Sequence, residues 1–243
     1  MSGHSKWSTI KHAKGINDAK RGKIFSRLSK TIAIAVREGG SDSPEFNPKL
    51  RLMIEKARAE NMPKENIARA IDKGAGRIEG ASYEEITYEG FGPGKVAMMV
   101  ECVTDNKNRT NSEIKSAFEK NEGVFGSVGS TSYFFAKKGI VKIKLPEDKD
   151  IEEIQLELID LGAEDFQNDN QAELTVITEA NGTHSVAQNI EKAGYTILDT
   201  DVIMVPSSYI NLEEKAYERF MHFLEIVDDQ DDVQRIFHNA QKN

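Results

Sequence analysis

With one cysteine, Cys102, in 243 residues, the chain has no internal disulfide framework and no zinc site built on several thiolates. No apolar run approaches the roughly 20 residues that span a bilayer, and the start has no uninterrupted apolar core of a secretory signal. A soluble protein of the reducing cytoplasm, with no membrane partner, is the expectation. An acid-poor basic start also mimics a mitochondrial transit peptide, but it holds Trp7 and several glycines and runs straight into a helical pattern. GFGPG and the glycines at 123, 126 and 129 are not followed by Gly-Lys-Ser/Thr and open no dinucleotide fingerprint, so they read as turns. His4 and His12 stand eight apart with no nearby cysteine, a spacing that suits no metal. No nucleophile with a matched base emerges from any spacing. The sequence therefore predicts no catalytic residue, no metal, no cofactor and no small-molecule substrate.

What the chain does have is charge, unevenly placed. Its formal charge is -8, from 32 basic and 40 acidic residues. Residues 1–80 carry 17 basic and 9 acidic side chains, 17 - 9 = +8, leaving 15 - 31 = -16 for residues 81–243. A polyanion would meet the N-terminal end first, so nucleic acid is the leading partner class. A solvated face, or an acidic protein or membrane surface, is the alternative.

Length and punctuation suggest several small cores rather than one. Residues 1–22 read as an arm. From Lys23, Ile24, Leu28, Ile32 and Val36 recur every four residues on one helical face, while Lys20, Lys23, Arg27 and Lys30 form a cationic ridge on another. Gly39 and Gly40 end that helix. Asn47 with Pro48 opens a second, and Pro63 opens a third that Gly74 closes. Past Gly80 the period changes from 3.6 to 2. EEITYEG and KVAMMVECV read as a hairpin, TDNKNRTNSEIKSAFEKN as a loop and helix with Thr110 and Glu113 as capping box, and STSYFF as a strand. Residues 139–205 then read β-α-β-β-α-β, the ferredoxin-like order, before one more helix and a short strand. The expected fold is α+β: an arm and three-helix domain (1–80), a discontinuous α/β domain (81–138 plus 206–243), and a ferredoxin-like α/β domain (139–205) inserted in it, both α/β domains with antiparallel sheets.

GHSKWSTIKH places Lys6, Lys11, His12 and Lys14 around Trp7. Cations interleaved with an indole suit a phosphate backbone and an unstacked base. Trp7 and Ile10 can equally pin the arm to a neighbouring domain. TDNKNRT puts Asp105, Asn106, Asn108 and Arg109 at a helix N-terminus, either an anion site or an Asx turn with Arg109 paired to a carboxylate. The candidate nucleic-acid contacts are thus Lys6, Trp7, Lys11, His12, Lys14, Lys20, Arg21, Lys23, Arg27, Lys30 and Arg109.

GHSKW, IKH, DAKRGKIFSRL, NPKLR, MPKENIARAIDKGAG, YEEITYEGFGPG, VECVTDNKNRT and the later DDVQ together resemble the YebC/PmpR family, whose eukaryotic relatives include a mitochondrial translational activator. The resemblance covers nearly the whole chain. Lys95 stands where the family often continues with another glycine, and NEGVFGSVGS replaces a stretch nearer GGNLG. The resemblance implies a helical domain and two α/β domains in a cytoplasmic protein. It also implies either a DNA-binding transcriptional regulator or a ribosome-associated factor that binds rRNA or tRNA and relieves stalling at difficult, proline-rich sequences. The three-helix segment shows no helix-turn-helix signature, and its most basic helix offers Lys and Arg without the Asn or Gln companions that read adenine. RNA recognition by shape and stacking asks less of base-edge chemistry.

Overall fold

The computed structural model describes residues 18–78, 83–146, 150–170 and 172–243. The chain folds as two compact units. One takes the described residues through Ser132 together with Asn211–Asn243, the other Tyr133–Ile210.

Helix α1 (Asp18–Gly39) starts five residues before the expected Lys23 and carries Gly22 inside it. Gly40, at φ 63°, ends it. Asn47 then caps α2 (Pro48–Ala59) by accepting from the Leu50 amide at 3.0 Å. Its Nδ2 donates to the carbonyls of Ala35 and Ser41, both at 2.8 Å, so the cap also binds α2 to the end of α1. After Asn61, at φ 59°, and Pro63 comes α3 (Lys64–Gly74). Ile32, Ala35 and Val36 of α1 share one core with Leu50, Ile54, Ala57, Met62, Ile67 and Ala70. The expected role of Gly74 is corrected. The left-handed residue past α3 is Gly76, at φ 72°, whereas Gly74 lets α3 approach α1 so closely that an added Cβ would lie 2.5 Å from the Ala33 carbonyl oxygen.

Strands β1 (Glu84–Gly92) and β2 (Val96–Thr104) form the expected hairpin, from Glu84 opposite Thr104 to Gly92 opposite Val96. A short 3-10 turn, Pro93–Lys95, joins them. Helix α4 (Lys107–Lys120) and the two-residue β3 (Val124–Phe125) follow. STSYFF is not a strand. Ser132–Phe134 is a 3-10 turn, and β4 (Phe135–Lys144) starts where β7 offers it a partner. Next come α5 (Ile151–Asp160), β5 (Asp165–Asn170), β6 (Glu173–Glu179), α6 (Thr183–Lys192) and β7 (Thr196–Pro206). The chain closes with β8 (Ile210–Leu212), α7 (Glu214–Asp228), β9 (Val233–His238) and β10 (Ala240–Lys242).

Both four-stranded sheets are antiparallel, ordered β5-β6-β4-β7 and β3-β1-β2-β9. The first is the ferredoxin-like arrangement, its core built from Val141, Ile143, Leu174 and Val176 against Ile154, Leu158 and Ile190. The second has the same spatial order with β2, α4, β3 and α7, β9 in the equivalent places, but its third strand comes from the N-terminal side as β1. Helices α4 and α7 meet edge to face through Phe118 and Phe223, ring centroids 5.1 Å apart. Val96–Val100 are all buried, as expected of a central strand covered on both faces. The fold is α+β.

Candidate nucleic-acid interface

The ridge on α1 faces a row of carboxylates. The turn from α7 into β9 reads Asp228-Asp229-Gln230-Asp231-Asp232, roughly two hundred residues away in sequence and directly against α1 in space. Lys23 donates to the Asp228 carbonyl and lies 3.1 Å from Asp229 Oδ1. Arg27 Nη2 reaches Asp228 Oδ1 at 2.8 Å and its carbonyl at 2.7 Å. Lys30 Nζ contacts Asp232 Oδ1 at 2.6 Å and the Asp231 carbonyl at 2.9 Å.

Asp232 is the hub of this contact, with only 2% of its side chain exposed. Its second oxygen accepts from Arg109 at 2.8 Å and from Thr110 Oγ1 at 2.6 Å. Thr110 Oγ1 is also 2.7 Å from Thr104 Oγ1. Burial pushes the carboxyl up, but hydrogen bonds from Arg109, Lys30 and Thr110 outweigh it and hold Asp232 at about 2. The bonds to Asp232 and then Asp105 raise the Arg109 guanidinium in turn.

The N-terminus of α4 takes the second form that its sequence allowed. Asn106 is the N-cap, accepting from the Arg109 amide at 3.1 Å, and Thr104 Oγ1 accepts from the Asn106 amide at 2.9 Å. Thr110 and Glu113 are therefore not a capping box. The cap, Asn106, lies four residues before Thr110, which is buried inside the helix. Arg109 bridges Asp105 and Asp232 rather than standing free for an anion.

Of the sequence-predicted contacts, then, the structure brings Lys23, Arg27, Lys30 and Arg109 together around aspartates. Arg21 is exposed, in no ion pair among the described residues. Lys6, Trp7, Lys11, His12, Lys14 and the side chain of Lys20 fall outside the described residues. Reading the ridge as a nucleic-acid contact face missed its partner within the chain; the signal available was DDQDD, four aspartates in five residues. The exposed cations Arg51 and Arg58 of α2 and Lys64 and Arg69 of α3 also went unselected, and none forms an ion pair among the described residues.

Cys102 is 1% exposed, and burial, then Asp232, pushes its thiol up to about 12, far from a reactive thiolate. Among the described residues no group of three His, Cys, Asp or Glu could hold a metal, and no helix is long and apolar enough to cross a membrane. An open groove of about 450 Å³ between α4 and α7 is lined by Ser112, Glu113, Ser116, Lys120, Ile226 and Gln230.

Two family models cover almost all of the chain: the TACO1/YebC protein N-terminal domain matches residues 5–77, and the TACO1/YebC second and third domain residues 83–240. The chain belongs to the TACO1/YebC family. Among TACO1/YebC relatives, a probable transcriptional regulatory protein of Caldanaerobacter subterraneus subsp. tengcongensis is 44% identical over 241 residues, 99% of this chain and 98% of that protein. One so named from Geobacter sulfurreducens is 46% identical over 239 residues, 98% and 95% of the two chains. The crystal structure of a conserved hypothetical protein, Aq1575, from Aquifex aeolicus superposes with a TM-score of 0.85 at 40% identity, covering 98% of each chain. In family terms the chain is a regulator.

Proposed function

We propose that this TACO1/YebC member is a non-enzymatic, cytoplasmic regulator of gene expression that binds nucleic acid, as a DNA-binding transcriptional regulator, through its N-terminal arm and helical segment. One observation carries the reading. Once the ion pairs of α1 are set aside, Arg21, Arg51, Arg58, Lys64 and Arg69 remain exposed without carboxylate partners among the described residues, on the part of the chain whose first 80 residues carry 17 basic against 9 acidic side chains. Lysine and arginine displayed this way release counterions from a phosphate backbone. Residues 133–210, with 6 basic and 15 acidic side chains, a net of 6 - 15 = -9, repel a polyanion. The relatives named probable transcriptional regulatory proteins favour DNA.

A second reading, a translation factor on rRNA or tRNA, is favoured by the chemistry of those exposed cations. Scattered over α1, α2 and α3, they offer charge to a phosphate backbone rather than a row of side chains to base edges, which suits recognition by shape. Competition between duplex DNA and ribosomes for the purified full-length protein near physiological salt, followed by crosslink mapping, tests both. Preferential retention on duplex DNA, crosslinked through the arm and helices α2 and α3, is the expected result. Transfer to ribosomes selects the second reading, and binding to neither removes both.

A further inference from the structure

The contact between α1 and the α7–β9 turn has two halves of different character. In the inner half Lys30 and Asp232 are 10% and 2% exposed and share Asp232 with Arg109 and Thr110, an arrangement that holds the fold. In the outer half Asp228 and Asp229 are 39% and 81% exposed, and ion pairs so placed are weak and screened by salt. The outer half also holds two bonds to the Asp228 carbonyl, from Lys23 and from Arg27 Nη2, but two of its features are poorly matched and a third suits an outside anion. Arg27 meets Asp228 through one nitrogen, while its buried Nε has no partner. Both carboxylates sit at the C-terminus of α7, which has no basic residue in its last turn, where the helix dipole disfavours negative charge. Lys23 and Arg27 stand one helical turn apart, so both point the same way at whatever anion lies opposite.

The geometry points to a displaceable latch: Asp228 and Asp229 occupy on α1 the places of two backbone phosphates, and a nucleic acid competes with them for Lys23 and Arg27. A phosphate can take Nε and Nη2 of Arg27 together as a fork, giving the orphaned Nε a partner that Asp228 does not. The inner Lys30 and Asp232 pair keeps α1 seated while the outer pair opens. Access to part of the cationic surface is thereby set by the protein's own acidic turn. This rests on the nucleic-acid reading above.

The test uses full-length Asp228→Asn/Asp229→Asn, with Asp229→Asn alone as a variant too exposed to threaten folding. Glu152→Gln/Glu153→Gln, on an exposed face of α5, makes the same change in net charge far from α1 in sequence. Binding to a short duplex DNA and to a hairpin RNA is measured by anisotropy across a salt series. The latch predicts that the double variant binds more tightly at low salt, with a salt slope steeper by up to about 1.8, about 0.9 for each of two freed phosphate contacts on duplex. The single variant moves the same way by less. Adding Lys23→Ala/Arg27→Ala to the double variant returns the wild-type slope. A double variant that melts like wild type and keeps the wild-type slope overturns the latch, as does an equal gain in the Glu152/Glu153 control. If wild type binds and only the gain is missing, the latch alone falls; if no form binds either polymer, the functional reading falls with it.

Discussion

Asp232 shows how one side chain can join three segments distant in sequence. It takes a hydrogen bond from α1 through Lys30 and two from the start of α4 through Arg109 and Thr110. Replacing it by Ala leaves Lys30 buried without a counter-charge, a loss of about 3–5 kcal/mol, measurable by urea unfolding of the full-length protein at neutral pH. Its titration has a definite sign. With the folded carboxyl at about 2 and an unfolded one near 3.9, the ionised form is favoured by folding. The contribution, about 2 kcal/mol, is complete above pH ~4 and lost as pH falls from there through about 2. Asp232→Asn should flatten the stability profile in that window, and a variant with the wild-type slope there would count against the hub. None of this was legible from the ridge. Spacing tells which residues share a helix face, but the opposing residue lies up to 206 positions away, beyond any local pattern.

Elements were legible where their signals were local and misread where a partner decided them. Asn47 before Pro48 announced α2, and the alternation over 139–205 announced a ferredoxin-like unit, because caps and periodicity reside in adjacent residues. The strand start at Phe135 depends on Pro206 opposite it, and Thr110 is drawn inside α4, after the Asn106 cap, where its hydroxyl reaches Asp232. The two departures from the family's glycine pattern are instructive. Lys95 and Glu122 both lie at φ 61°, a left-handed conformation that costs a residue with a Cβ roughly 1–2 kcal/mol. Lys95→Gly and Glu122→Gly should therefore leave the fold intact and raise the melting temperature, each by up to about 1 kcal/mol in stability after the added unfolded-state entropy is counted. Gly74 should behave oppositely. Its added Cβ would meet backbone, 2.5 Å from the Ala33 carbonyl oxygen, so Gly74→Ala should force α3 off α1 and destabilise by about 1–3 kcal/mol. A neutral Gly74→Ala melt would show that the two helices slide apart freely.

At the scale of the molecule the charge map read from composition stands, but its use changes: part of the N-terminal positive charge neutralises the chain's own acidic turn, while Arg21, Arg51, Arg58, Lys64 and Arg69 stay exposed without carboxylate partners among the described residues. Trp7 then separates the two polymers. Its string, GHSKWSTIKH, sets an indole among Lys6, Lys11 and Lys14, and an indole stacks on an unpaired base but finds none exposed in a regular duplex. If the arm stacks, Trp7→Ala should weaken binding to ribosomes or single-stranded RNA by about 1–3 kcal/mol, while duplex DNA binding, which rests on phosphates, stays within error. If Trp7 is a packing anchor, the variant should melt earlier and lose affinity for both polymers alike. Paired binding curves on ribosomes and duplex DNA, with a melting curve for each protein, distinguish these cases. An RNA-selective loss at unchanged melting temperature would move the assignment to translation. Equal losses would remove stacking from the mechanism and leave DNA, held by the cations of α2 and α3, as the partner.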